Sequence, residues 1–146
     1  MAKLLETTNK LSSGIHIIEE LPKITDDMWN ADQTRQGNGG PKSVHKHTKS
    51  YFVNSLPLTW EGIGYPFTQK QIPEKLREYT DNITKTLETK YNGKIGRTLY
   101  IKLSSKSSIP VHQDYGYYLR NSHRFHVPII TNDKVLFHLD GETINM

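Results

Sequence analysis

The feature that most constrains the fold is a long amphipathic segment followed directly by a strand-like one. Residues 68–91 are predicted to form an α-helix, because apolar side chains recur three or four positions apart on one stripe: Ile72, Leu76, Tyr79, Ile83, Leu87 and Tyr91. Pro73 suits the first turn of this helix, and Asn92-Gly93 is a typical end. One apolar stripe must be covered, most simply by the outer face of a sheet.

A sheet is predicted after Gly96, where the apolar pattern changes to a period of two. Leu99, Ile101 and Leu103 share one face of a strand, and Thr98, Tyr100 and Lys102 share the other. Further strands are predicted at 14–18, 51–53, 109–112, 123–131, 135–139 and from 142 onward. The short turn at 132–134 is expected to join two of them as an antiparallel hairpin, and 36–41 is a predicted loop.

Composition limits the classes of protein to consider. The 146 residues suit one domain, 1–146. The net charge of +4 is spread thinly, which suits a small anionic ligand, and without a basic run interleaved with aromatics we expect no nucleic-acid partner. The absence of cysteine excludes disulfides, thiolate metal sites and cysteine nucleophiles. The absence of cysteine also favours a cytoplasmic compartment. No stretch approaches the roughly 20 apolar residues of a membrane span, so we expect a soluble protein.

The segment His112-Gln113-Asp114 carries the first candidate site. On an extended chain, residues two apart project from the same side, so this imidazole and carboxylate can act together. Two histidines and one carboxylate hold Fe(II) in many oxygenases and leave the opposite coordination positions open. His112 and Asp114 are therefore candidate metal ligands; the alternative is a surface histidine beside an aspartate in a turn.

The segment 123–130 carries the second candidate site. Alternation places Arg124 and His126 on one face, opposite Phe125, Val127 and Ile129. A guanidinium matches a carboxylate in bidentate geometry, so a dicarboxylate co-substrate is a natural ligand. The alternative is an internal salt bridge from Arg124 to Asp114, Asp140 or Glu142. The glycine and tyrosines of 115–120 can close over a substrate or form an apolar cluster, and we assign them no catalytic role.

These residues together resemble the aspartyl/asparaginyl β-hydroxylase family. The resemblance is carried by His112-x-Asp114, Gly116, Tyr118-Leu119-Arg120, His123-Arg124-x-His126-Val127-Pro128-Ile129 and Gly141-Glu142, strongly over 97–146 and faintly over 46–66. It implies a dioxygenase that uses Fe(II), 2-oxoglutarate and dioxygen to hydroxylate an Asp, Asn or Pro side chain, free or in a peptide. It also implies His112 and Asp114 as metal ligands, with Arg124 and His126 binding the co-substrate.

The resemblance implies a mainly β (α+β) fold: a double-stranded β-helix, also called a jelly roll, with a packing helix at about 70–91. The family's second histidine ligand and its co-substrate arginine lie beyond the Gly-Glu pair, whereas this sequence stops at Met146. We therefore expect a barrel incomplete at its C-terminus, from a fragment, a split gene product or a degenerate copy, completed by a missing segment or a second chain. His138 is the only later histidine that could substitute for the missing ligand, and the alternative is a solvated or core-satisfied histidine. The alternative function is a non-catalytic jelly-roll module that binds a small anion.

Overall fold

The structure, a computed structural model, describes residues 14–31, 34–37, 43–54, 72–114 and 121–146. Over these residues the chain is a mixed α+β protein with two small antiparallel sheets. Its helices are α1 (Gly14–Glu20), α2 (Asp26–Asn30) and α3 (Glu74–Tyr91), with 3-10 turns at Leu21–Lys23 and Thr34–Gln36; its strands are β1 (Thr48–Asn54), β2 (Thr98–Leu103), β3 (Leu136–Leu139) and β4 (Glu142–Asn145). β1 pairs with β2, and β3 pairs with β4.

The core lies between α3 and one face of the β1–β2 pair. Tyr51 and Val53 on β1 are fully buried and belong to the same apolar cluster as Leu76 of α3. Tyr100 lies opposite Tyr51 in the sheet register, and its hydroxyl is 2.7 Å from Oγ1 of Thr80. The predicted helical stripe therefore packs on the sheet, as the amphipathic pattern indicates.

The other face of β1 carries Thr48, Ser50 and Phe52, because side chains alternate along a strand. Gln36, at the end of a 3-10 turn, donates from Nε2 to Oγ1 of Thr48 at 3.2 Å and to Oγ of Ser50 at 2.9 Å. All three polar side chains are buried, so these hydrogen bonds fix the Thr34–Gln36 turn on the sheet face opposite α3.

The prediction of a strand at 14–18 is wrong, because these residues open helix α1. Ile17, Glu20 and Ile24 are buried, whereas Ile18 is 42% exposed. Burial thus recurs at intervals of three and four residues, which is helical spacing. The apolar run is too short to distinguish this spacing from a strand pattern.

Helix α3 matches its predicted end more closely than its predicted start. Asn92 adopts a left-handed conformation with φ of 47°, and its backbone N–H bonds to the carbonyl of Glu88, which ends the helix as predicted. The first helical residue is Glu74, so Pro73 precedes the first turn instead of lying within it. Residues 55–71, including the predicted start at 68, lie outside the described residues.

The second sheet is a tight hairpin. Strands at 135–139 and from 142 onward are confirmed as β3 and β4, with Phe137 opposite Ile144. Their turn is Asp140-Gly141, where φ is 48° and 85°, as a two-residue type I′ turn requires. The turn at 132–134 exists but does not join two strands, because 123–131 forms no strand in the structure.

The predicted strand at 109–112 is also absent, since this segment is irregular. The segment 115–120 and most of the predicted loop at 36–41 lie outside the described residues. Among the strands that the structure describes, none closes a barrel. Within the same residues, no helix has the length and apolar character needed to cross a membrane.

Candidate functional site

His112 and Asp114 lie side by side in the irregular segment that follows β2. Nε2 of His112 is 3.7 Å from Oδ1 of Asp114, and the two side chains are 27% and 25% exposed. The structure therefore brings the two predicted ligands together on one side of the chain. Two donor atoms that bind one metal ion at right angles, each about 2.1 Å from the ion, lie about 3 Å apart. A small inward movement of either side chain would therefore bring these two atoms to the separation that a shared metal ion needs.

The backbone determines which nitrogen of His112 is available. Nδ1 of His112 is 2.8 Å from the carbonyl oxygen of Pro110. A carbonyl only accepts hydrogen bonds, so Nδ1 carries the proton and donates it. In the neutral ring, Nε2 then presents its lone pair towards the carboxylate of Asp114. Histidines that bind metals are oriented in this way, with the remote N–H donating to a carbonyl or carboxylate.

Arg124 approaches the same carboxylate from the segment before β3. Its Nη1 donates to Oδ2 of Asp114, the oxygen that does not face His112. Burial acts to raise the pKa of Asp114, but the hydrogen bond and charge of Arg124, aided by His112, hold that pKa below its usual range. The internal ion pair that the sequence left open is thus present, and it leaves other guanidinium donors of Arg124 for a further ligand.

His126 follows Arg124 by two residues, and its ring is tilted against that of Phe137 with centroids 4.8 Å apart. Loss of hydration lowers the pKa of His126, and the charges of Arg124 and Arg35 lower it further. The uncharged form is therefore favoured, in which one ring nitrogen donates and the other accepts. His126 can hydrogen-bond to a ligand without adding charge.

His45 is a site residue that the sequence did not indicate. It lies in the turn before β1, and its ring meets that of His112 edge-on, with centroids 5.3 Å apart and planes at 88°. Burial lowers the pKa of His45 to about 4, with further contributions from the charges of Arg35 and His112. Nδ1 of His45 is buried and has no hydrogen-bond partner among the residues that the structure describes.

Arg35 is the second residue that the sequence did not indicate. It precedes Gln36, whose buried amide is fixed on β1, and its carbonyl accepts a hydrogen bond of 3.2 Å from the hydroxyl of Ser43. The same hydroxyl accepts from the backbone N–H of His45 at 3.2 Å. Arg35 and His45 fall in polar sequence without periodicity, so no pattern marked them.

A complete set of three metal ligands is not present in the described part of the chain. No three His, Asp or Glu side chains there are grouped closely enough to hold a metal ion. Nδ1 of His138 lies 2.7 Å from Oγ1 of Thr143 across the β3–β4 hairpin, so His138 does not join His112 and Asp114. The two donors that are present, an imidazole nitrogen and a carboxylate oxygen, fit Fe(II) chemically.

No protein-family model, curated protein sequence or solved structure matches the chain. The resemblance to the aspartyl/asparaginyl β-hydroxylases thus depends on the motif residues alone. Support for a function comes from the arrangement of His112, Asp114, Arg124 and His126.

Proposed function

We propose that this chain is an Fe(II)- and 2-oxoglutarate-dependent dioxygenase that hydroxylates an Asp, Asn or Pro side chain. The observation that carries the proposal is the pairing of His112 with Asp114, in which the Pro110 carbonyl directs the Nε2 lone pair towards Oδ1. A lone pair and a carboxylate oxygen that face each other can share a proton or a cation between them. A divalent metal ion is one such cation.

The arrangement of the layers supports a double-stranded β-helix as the scaffold. Helix α3 covers the face of the sheet that carries Tyr51 and Tyr100. The Thr34–Gln36 turn, which positions Arg35, lies on the opposite face. A helix on the outside of a sheet and a polar site on the inside is the layout expected of a β-helix oxygenase.

The polar side chains have distinct roles in this proposal. His112 and Asp114 would hold Fe(II), which with 2-oxoglutarate would supply the oxidising chemistry needed to hydroxylate a carbon–hydrogen bond. Arg124 orients Asp114 through Oδ2, and its remaining N–H groups bind a carboxylate of the co-substrate. His126, favoured in its neutral form, donates to or accepts from the same ligand.

A second candidate function is a binding module for a small anionic ligand, without catalysis. The observation that favours it is the Arg124–Asp114 ion pair, because a guanidinium can replace a metal ion as the partner of this carboxylate. In that case Arg35 and Arg124 retain an anion while Asp114 has only a structural role.

Anaerobic titration of the purified chain with Fe(II) and 2-oxoglutarate separates the two functions. The dioxygenase proposal predicts a visible charge-transfer band from 2-oxoglutarate bound to the metal, lost in His112→Ala and retained in His138→Ala. His138 is the matched control because it is paired with Thr143 in the hairpin. Binding of 2-oxoglutarate without any band, unchanged in His112→Ala, supports the binding module and contradicts the dioxygenase.

A further inference from the structure

We infer that a cavity next to the candidate metal site binds an acidic side chain of a peptide substrate. The cavity has a volume of about 490 Å³, opens to solvent and is lined by Lys46, His47, Lys106, Ser107, Ser108 and Pro110. The inference rests on the proposed function and narrows it. The hydroxylated residue then belongs to a peptide that carries a nearby Asp or Glu, and is not a free amino acid.

The cavity lies where the chain enters β1 and leaves β2. Lys46 and His47 belong to the turn before β1, in which the N–H of Lys46 bonds to the carbonyl of Ser43 at 3.3 Å. In the segment after β2, the hydroxyl of Ser107 donates to the carbonyl of Ser104. The N–H of Ser104 bonds to the carbonyl of His47 at 3.0 Å and joins the two segments. Both sides of the cavity therefore have a fixed backbone, which limits the conformational freedom lost on binding.

Two lysines of the cavity carry positive charges that no acidic side chain balances. Lys49 forms an ion pair with Asp26 at 3.6 Å, whereas Lys46 and Lys106 have no acidic partner among the residues that the structure describes. None of the described residues that line the cavity is acidic. A carboxylate placed here gains two ammonium partners and displaces no existing ion pair.

The cavity shares a wall with the candidate metal site. Pro110 lines the cavity, and its carbonyl oxygen is 2.8 Å from Nδ1 of His112. On the other side, the residue before Lys46 is His45, whose ring meets that of His112. Each residue of an extended peptide spans about 3.5 Å. A peptide whose target side chain lies beside His112 can therefore place a side chain about two or three residues away in the cavity.

The chemistry of the lining favours an acidic peptide over a nucleic acid. Sites for single-stranded nucleic acids add aromatic side chains on which the bases stack. The described lining of this cavity consists of lysine, histidine, serine and proline, with no Phe, Tyr or Trp. Ammonium and hydroxyl groups both donate hydrogen bonds to a carboxylate. A free amino acid has no neighbouring residue that could occupy the cavity.

Peptide binding to the metal-free chain tests the inference separately from catalysis. The probes are fluorescent peptides with glutamates on both sides of a central asparagine, aspartate or proline, and matched peptides with glutamine in place of glutamate. We expect the glutamate peptides to bind about tenfold more tightly at low ionic strength, the combined effect of two exposed ion pairs. Fluorescence anisotropy measures both affinities, and added salt should reduce the difference because exposed charges are screened.

Substitution of the lysines identifies the cavity as the site. Lys46→Gln and Lys106→Gln should each weaken binding of the glutamate peptides by about two- to fivefold. Lys75→Gln removes one positive charge from an exposed position on α3 and is the matched control. All three lysines are exposed, so these changes leave the core intact. Lys46→Glu combined with Lys106→Glu should reverse the preference, so that peptides with lysine in place of glutamate bind more tightly than the glutamate peptides.

Three results would overturn the inference. The first is equal binding of the glutamate and glutamine peptides, and the second is a loss of affinity in Lys75→Gln as large as in the cavity variants. The third is tighter binding of a single-stranded oligonucleotide than of the glutamate peptides, because that assigns the cavity lysines to a nucleic acid.

The outcomes are distinct from those of the metal titration. If the charge-transfer band never forms but peptide binding depends on Lys46 and Lys106, the dioxygenase proposal fails and the acidic-peptide site remains. If the band forms and the peptides bind equally with and without these lysines, the acidic-peptide site fails and the dioxygenase proposal remains.

Discussion

The rings of His45 and His112 meet edge to face, although one lies before β1 and the other after β2. Pairing of β1 with β2 brings the two segments together, because Thr48 lies opposite Leu103 in the sheet register. The N–H of Ser104 also bonds to the carbonyl of His47 at 3.0 Å. Formation of this one pair of strands therefore assembles the histidines.

Replacing Arg124 tests whether the ion pair supports a metal site. Arg124→Gln removes the charge that lowers the pKa of Asp114 and the hydrogen bond that orients it. We expect Fe(II) or Mn(II) to bind about 10- to 100-fold more weakly, the usual cost of losing a group that orients a metal ligand. Calorimetry with Mn(II) measures this. Lys102→Gln, which also removes one positive charge but from an exposed position on β2, is the control. Equal Mn(II) affinity in the two variants would contradict the prediction.

The stability of the protein should fall on mild acidification because of His45. Its folded-state pKa of about 4 lies below the ordinary value of 6.5. Between these values the unfolded chain binds a proton that the folded chain does not, so the free energy of unfolding decreases as pH falls from about 6.5 towards 4. Urea unfolding followed by the fluorescence of buried Trp29 measures this. In His45→Phe the free energy of unfolding should depend less steeply on pH. An unchanged dependence on pH would mean that other groups cause the effect.

The hydrogen bond between Tyr100 and Thr80 should contribute measurably to stability. The two hydroxyls are 2.7 Å apart, and Thr80 is buried. Tyr100→Phe should lower the free energy of unfolding by about 1 kcal/mol, the usual net value of such a bond. A double-mutant cycle with Thr80→Val isolates the interaction. Additive effects of the two substitutions would show that the hydroxyls contribute independently.

The β3–β4 hairpin should depend on Gly141, whose φ of 85° is unfavourable for a residue with a side chain. Gly141→Ala should destabilise the hairpin by about 1 kcal/mol or more through backbone strain alone, since no atom lies within 4 Å of an added Cβ. Hydrogen exchange of the backbone amides of Phe137 and Ile144 measures the effect, because these amides should exchange faster in a less stable hairpin. Gly93→Ala provides the control, because its φ is not positive and an added Cβ makes only an ordinary contact.

Long-range periodicity explains which parts of the fold were predictable from the sequence. The stripe through Leu76 and Ile83 and the alternation around Tyr100 extend over enough residues to identify α3 and β2. The segment Ile15–Ile18, three isoleucines interrupted by His16, is too short to do so, and in the structure it is helical with Ile17 buried. The turn between β3 and β4 was also predictable, because Asp140-Gly141 is a strong hairpin signal.

The candidate site was predictable only where spacing along the chain implies proximity. His112 and Asp114 are two residues apart, and Nε2 of one lies 3.7 Å from Oδ1 of the other, as their spacing predicts. The common face of Arg124 and His126 stays a prediction, because the strand at 123–131 from which it was argued is absent. His45 meets His112 because β1 pairs with β2, and buried Gln36 fixes the turn that contains the backbone of Arg35. Such contacts arise from tertiary structure and leave no periodic pattern.

The anchoring of Gln36 on Thr48 and Ser50 has a consequence for how the protein can be divided experimentally. A peptide spanning 97–146 would retain every residue of the recognisable motif, yet it would lose the guanidinium of Arg35, the imidazole of His45 and the strand that aligns them. In such a peptide His112 would lack the ring that it meets edge-on in the folded chain, even though its motif is intact.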